Sequence, residues 1–236
     1  MNASDHTAPI SEALQDHIAA MRGKLVVSVQ AYPGEPMRNP ETMAQVAHSA
    51  QLGGAAAIRC QGLADIAAIK ARVDVPVIGL WKEEDEGVFI TPTLRHARAC
   101  SLAGADIVAI DATSRPRPDG RTFTQTVQTL RGEGIAVMAD CGSLDDARVA
   151  AAAGCEIIST TLAGYSPDRE KTPGPDLELL RDITAEISTP VFCEGRVHSP
   201  QAAQQALEAG AWSVVVGTAI THPSTITSWF VDALQQ

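Results

Sequence analysis

Eight short apolar runs in this chain close on residues able to do chemistry: Gln30, Arg59, Lys82, Asp111, Asp140, Thr160 with Thr161, Glu194 with Gly195 and Arg196, and Gly217 with Thr218. As a set they offer an amine base, carboxylates for proton transfer, guanidinium groups that hold anions, and glycines where backbone can approach a phosphate. Any one of them could simply mark where a strand leaves the core. Lys82 and Glu194 are the sharpest candidates. A spacing of two puts Ile78, Leu80 and Lys82 on one strand face, so the amine stands above an apolar layer that favours its neutral form. The competing assignment is an ion pair with the acidic run Glu83, Glu84, Asp85 and Glu86, which reads better as a solvated loop face. Phe192 and Glu194 share a face by the same count. A carboxylate in that position needs a partner, and an internal pair with Arg59 or Arg196 is the competing assignment.

The phosphate signal is a pair of loops. Gly195 follows the seventh run, and Gly217-Thr218-Ala219-Ile220-Thr221 follows the eighth, ahead of a further helix. No G-x-x-x-x-G-K-[ST] occurs, and Gly132-x-Gly134 precedes a strand, so nucleotide-cofactor readings fall away. The six histidines show no H-x-H, H-x-D or H-E-x-x-H spacing, and no metal site is expected. His48 and His96 read as surface or packing residues, while His198 and His222 follow strands and could approach a site. Cys141 and Cys193 lie near run ends without a base at motif spacing and read as inert buried thiols.

The elements that must position these residues repeat from end to end as apolar run, turn and amphipathic helix. The runs cover residues 24–30, 55–59, 76–82, 105–111, 135–140, 155–160, 190–194 and 211–217. Helical stretches cover 40–52, 63–71, 92–102, 122–131, 144–153, 176–187, 200–209 and 224–234, with an N-terminal one over 10–21. Four runs are entered through similar glycine turns, GGAAAI, AGADIV, AAGCEII and EAGAWSV, ahead of strands two, four, six and eight. Eight βα units in 236 residues predict an α/β fold of (β/α)₈ TIM-barrel type, ahead of an open doubly wound sheet. We assign residues 1–22 to an N-terminal segment and helix and 23–236 to the barrel.

Composition narrows the partners. With 18 Lys+Arg against 28 Asp+Glu the formal charge is −10, and aromatics are 4%, so a nucleic-acid surface is not expected. No apolar run reaches the ~18 residues of a membrane helix, and residues 1–9 carry no signal-like core. Five scattered cysteines without C-x-x-C fit reduced thiols. The expectation is a soluble cytoplasmic protein and a homodimer.

The run ends, taken with their flanks, carry a family likeness. Residues 25–36 (LVVSVQAYPGEP), 57–59, 76–82, 90–92, 104–118 (GADIVAIDATSRPRP), 138–141, 158–165 (ISTTLAGY), 193–196 and 210–221 are the matching segments. On these the chain resembles the N-acetylmannosamine-6-phosphate 2-epimerases of bacterial sialic-acid catabolism, over nearly everything after the first twenty or so residues. The resemblance implies a (β/α)₈ isomerase that inverts C2 of an amino-sugar phosphate, interconverting N-acetylmannosamine 6-phosphate and N-acetylglucosamine 6-phosphate without metal or redox cofactor. It places the catalytic lysine at Lys82 and the catalytic glutamate at Glu194. Gln30, Arg59 and Asp140 fall on sugar-binding positions, and Thr161 and Arg196 join them as substrate-binding candidates. Gly195 and Gly217 fit the phosphate loops, with Thr218 and His222 beside them. One position departs: the family usually has an arginine that contacts phosphate where this chain has His222, and an imidazole is a poorer phosphate clamp than a bidentate guanidinium.

The chemistry implied is removal of a proton α to a carbonyl in the open-chain sugar, with Lys82 as base. A working pKa near 7 to 8 requires a shift of roughly three units, attributed to desolvation and the positive charges of Arg59 and Arg196. The alternatives are another sugar-phosphate epimerase or isomerase barrel, including one acting on an unphosphorylated sugar, and a non-catalytic sugar-phosphate-binding module.

Overall fold

A computed structural model describes residues 10–83, 87–166 and 169–235. Three of the four acidic loop residues, Glu84, Asp85 and Glu86, and the N-terminal residues 1–9 therefore lie outside the described residues. Runs of Val, Ile, Ala and Met, buried on both faces and turning polar on the inward face only at their ends, produce eight short strands: β1 (Leu25–Val29), β2 (Ala57–Gln61), β3 (Val77–Leu80), β4 (Ile107–Asp111), β5 (Ala136–Asp140), β6 (Ile157–Ser159), β7 (Val191–Glu194) and β8 (Ser213–Val216). Each pairs in parallel with its sequence neighbour, and β8 closes on β1, for example Val26 against Val215. The expected closed barrel is the observed one.

Helices alternate with the strands: α1 (Glu12–Ala20), α2 (Pro40–Leu52), α3 (Leu63–Lys70), α4 (Leu94–Leu102), α5 (Phe123–Gly132), α6 (Leu144–Ala153), α7 (Leu177–Glu186), α8 (Pro200–Glu208), α9 (Thr218–Thr221) and α10 (Pro223–Leu234). Side-chain oxygens of Ser11, Asn39, Thr93, Thr122, Ser143, Asp176 and Ser199 cap seven of them, which is why these helices begin just after those residues. The one-turn α9 is an addition to the expected elements. Four glycine turns of the repeat end helices in the left-handed region, with φ of 98° at Gly54, 109° at Gly104, 89° at Gly154 and 102° at Gly210.

The core has two parts. One lies between strands and helices; the other fills the barrel with Val26, Ala57, Ile78, Leu80, Ile107, Ala109, Ala136, Met138, Ile157, Phe192 and Val215. Helix α1 closes the lower end of that interior. Met21, just after it, is fully buried, Ile18 joins the interior cluster, and the Trp212 indole N–H donates to the Ile18 carbonyl at 3.0 Å. A Cβ on Gly79 would stand 2.6 Å from Ala105 Cβ and 2.8 Å from Ile66 Cδ1, so glycine there lets α3 and the turn after α4 pack against β3. Among the described residues no helix is long and apolar enough to cross a membrane.

Candidate active site

Period-two alternation carries Ser28, Arg59, Lys82, Asp111, Asp140, Ser159, Thr161, Glu194 and Gly217 to the inward face just above the apolar filling. There a cavity of about 230 Å³ opens at the C-terminal mouth, and Gln30, Tyr32, Arg59, Lys82, Thr161 and Glu194 line it together with Gly195, Arg196, His198, Gly217, Thr218 and His222. Nearly all of the expected site residues meet there; Asp140 is the exception and lies directly beneath.

Arg59 is the hub. It is 1% exposed, and its guanidinium forks onto Asp140 with Nη1 to Oδ1 at 2.8 Å and Nη2 to Oδ2 at 2.6 Å. The same Nη1 lies 2.8 Å from Glu194 Oε2. Burial works against this charge, but Asp140 and Glu194 more than offset it and hold the guanidinium pKa above the ordinary arginine value. The internal pair foreseen for Glu194 is therefore with Arg59. Thr161 Oγ1 lies 2.7 Å from Asp140 Oδ1 and 3.1 Å from Glu194 Oε2, with Ser159 Oγ 2.8 Å away. One hydroxyl, with a single proton to donate, thus stands between two carboxylates.

Burial drives the two proton-transfer candidates in opposite directions. It pulls the Lys82 amine down to about 8, with Arg59 pushing the same way against the attraction of Glu194 and Asp140. It raises the Glu194 carboxyl above the ordinary carboxylate range; Asp140 adds to this, against Arg59, Thr161 and Lys82. A base and an acid are thereby brought toward neutral pH within one cavity. The Lys82 amine also lies 5.1 Å from the centre of the Tyr32 ring.

Three expected contributions take a different form. Arg196 is not among the causes of the lysine shift: its guanidinium donates to Gly174 O at 3.0 Å, Ala163 O at 2.9 Å and Thr172 Oγ1 at 3.0 Å, pinning the β6–α7 loop. Those bonds hold its backbone at φ 56°, next to Gly195 at 107°. Asp140 is fully buried and acts on the site from beneath, through its bonds to Arg59 and Thr161 and through its charge. His222 is 7% exposed, with Nε2 2.9 Å from Gln30 O and Nδ1 3.4 Å from Glu35 Oε1, so its ring nitrogens tie the junction of α9 and α10 to the loop after β1. Gln30 donates from Nε2 to Ser28 Oγ at 2.8 Å, while its Oε1 is buried without a partner among the described residues. Burial pushes the Cys141 and Cys193 thiols up, in keeping with inert thiols.

Sequence reasoning passed over Tyr32 and Phe89, which line the cavity from loops; neither closes an apolar run, so strand-end logic could not find them.

Fold and site define a (β/α)₈-barrel protein with a lysine and a glutamate facing one cavity at the C-terminal mouth. Comparison with known proteins narrows this. A profile of the family "Putative N-acetylmannosamine-6-phosphate epimerase" matches residues 43–236. A relative from Cutibacterium acnes is 57% identical over 92% of this chain and 96% of its own length, and one from Corynebacterium glutamicum strain R is 47% identical over 92% and 95%. Both bear the family's description with "2-epimerase" as its last word. The solved N-acetylmannosamine-6-phosphate 2-epimerase from Clostridium perfringens superposes with a TM-score of 0.88 at 38% identity, covering 92% of this chain and 95% of that one. The chain belongs to the N-acetylmannosamine-6-phosphate epimerase family. A thiamine phosphate pyrophosphorylase from Pyrococcus furiosus, at 17% identity and TM-score 0.60, shares the barrel.

Proposed function

We propose that this protein is a carbohydrate 2-epimerase, an isomerase that interconverts N-acetylmannosamine 6-phosphate and N-acetylglucosamine 6-phosphate by proton transfer. The carrying observation is that Lys82 and Glu194, shifted toward neutrality from opposite sides, line one cavity and are both coupled to Arg59. In the open-chain sugar the C2 hydrogen is α to the aldehyde. Neutral Lys82 takes that proton, leaving an enolate whose charge rests on O1 and whose C2 still carries the acetamido group; Glu194 is the second proton-transfer group, and a proton returned to the other face of C2 completes inversion with no net oxidation. Arg59, kept charged by its carboxylates, supplies a fixed positive field where negative charge develops. The buried Gln30 Oε1 offers an acceptor to the acetamido N–H. Gly195, Gly217 and Thr218 form the wall assigned to the phosphate, with His222 beside them and its ring nitrogens engaged by Gln30 O and Glu35.

We further propose a cytoplasmic location, a reducing compartment that suits five cysteines held as buried thiols. The protein is also assigned as a homodimer. None of the α10 residues is buried, Phe230 and Leu234 are 69% and 87% exposed, and a groove lined by Leu25, Val27, Val46, Ala50 and Ile220 runs along the outer wall near β1.

Turnover in D₂O followed by NMR tests the chemistry. Without added nicotinamide or metal, the product epimer should gain deuterium at C2. Epimerisation that leaves C2 unlabelled and requires nicotinamide would overturn proton transfer.

A further inference from the structure

Catalysis by Lys82 depends on where its amine points, yet Lys82 lies beyond the last residue of β3. On one side the β2 ladder ends at Gln61 opposite Leu80, where the Gly62 N–H donates to Leu80 O at 2.8 Å. On the other, β3 and β4 share two register pairs, Ile78 with Ile107 and Gly79 with Val108. Above these, residues 87–91 are laid into the seam. Lys82 forms an antiparallel bridge with Ile90, the Glu83 N–H donates to Phe89 O at 3.1 Å, and the Asp111 N–H donates to Ile90 O at 3.1 Å.

Thr91 locks this strap. Its N–H donates to Trp81 O at 2.8 Å, and its Oγ1 accepts the Trp81 N–H at 3.2 Å, so both backbone groups of the residue preceding Lys82 are tied to one threonine. Thr91 is fully buried at φ 49°, a left-handed conformation that costs a β-branched residue about 1–2 kcal/mol and glycine nothing. A strained threonine where glycine would sit without strain implies that the hydroxyl is needed.

His96 holds the other side. Its Nε2 lies 2.9 Å from Glu83 Oε1 and its Nδ1 2.6 Å from Thr93 Oγ1, which a neutral imidazole satisfies by donating to the carboxylate and accepting from the hydroxyl. The same ring packs edge-on against Trp81 at 4.5 Å between centroids. Both neighbours of Lys82 are thus fixed by groups that do not line the cavity.

We propose that Thr91 and His96 are positioning residues for Lys82, bracing Trp81 and Glu83 so that the amine is held between the Tyr32 ring and the buried Arg59–Glu194 pair. The proposal rests on Lys82 as base, and its test separates the two. Thr91→Val keeps the shape and leaves the Trp81 N–H without its acceptor; Thr91→Ser restores the hydroxyl, and Thr91→Gly removes strain and hydroxyl together. Thr91→Val and Thr91→Gly should lower kcat about 10- to 100-fold with KM within about 2-fold, and Thr91→Ser should recover to within about 3-fold of wild type. Independently of turnover, the pH dependence of Lys82 acylation, quantified by peptide mass spectrometry, should have its midpoint near 8 in wild type and higher in Thr91→Val and in His96→Phe. An unchanged midpoint and kcat in folded Thr91→Val or Thr91→Gly would overturn the brace while leaving Lys82 as base. A raised midpoint with normal turnover would support the brace and overturn Lys82 as base. Equal loss in Thr91→Ser and Thr91→Val would also overturn the assignment to the hydroxyl.

Discussion

Asp111 and Asp140 are register partners on adjacent strands, both inward-facing and both fully buried, yet they serve opposite ends. Asp111 is satisfied by its own loop. Oδ1 accepts from the Thr113 N–H at 2.9 Å and from Thr113 Oγ1 at 2.6 Å, and Oδ2 accepts from Arg115 at 2.7 Å, while Arg117 binds the Asp111 carbonyl. Its carboxyl is raised by burial in spite of these bonds. Asp140 takes its guanidinium from Arg59, three strands away. The first arrangement closes one side of the mouth; the second delivers a fixed positive charge to a cavity that also holds Lys82 and Glu194. A buried carboxylate with partners two to four residues away is a loop anchor. One whose partner arrives across the barrel can organise chemistry.

That contrast is open to attack by mutation. Arg59→Met should have the largest effect, since it leaves Asp140 and Glu194 buried without their cation: turnover below about 10⁻³ of wild type and a stability loss of about 3–5 kcal/mol, read by kcat and denaturant unfolding. If the variant unfolded like wild type, the hub role would be wrong.

Lys82→Met separates chemistry from stability. It should abolish turnover by about 10³-fold while raising Tm, because it removes a cation whose charged form the fold disfavours. The sign follows from linkage. The folded pKa, about 8, lies below the ordinary 10.5, so the penalty is full below pH 8 and fades as pH rises to 10.5. The Tm gain should therefore be largest below pH 8 and shrink above it, and a gain independent of pH would contradict a depressed lysine.

Glu194→Gln keeps shape and removes the ionisable group. It should lower kcat by about 10²-fold with a much smaller rise in KM; an effect confined to KM would make Glu194 a binding group. Least affected should be Arg115→Gln on the other side of the comparison. Thr113 still satisfies Asp111 Oδ1, so stability should fall by about 1 kcal/mol or less and kcat stay within about 2-fold. A loss as large as that of Arg59→Met would erase the distinction between the two carboxylates.

What was legible in the sequence follows from rules that act over a few residues. Period two placed Ile78, Leu80 and Lys82, and Phe192 and Glu194, on single faces, and barrel closure kept those faces inward. Glycine turns before strands two, four, six and eight marked the repeat, because a left-handed helix end is a local demand. Read with the resemblance, these gave the barrel and the residues of its mouth.

Only the tertiary structure decided which charge meets which. Arg59 and Asp140 are 81 residues apart in sequence, and nothing within either strand selects the other. Arg196, beside Glu194 in the chain, turns instead to the carbonyls of Ala163 and Gly174, and Arg59 becomes the cation that presses on Lys82. His96, a helix residue without a motif, becomes a clamp on the loop carrying Lys82 because the turn after β3 folds back upon α4. The physical reason is the same in each case. Backbone geometry and capping are settled within a turn or two of chain, whereas a buried charge must find its counter-charge wherever the closed barrel brings one within reach.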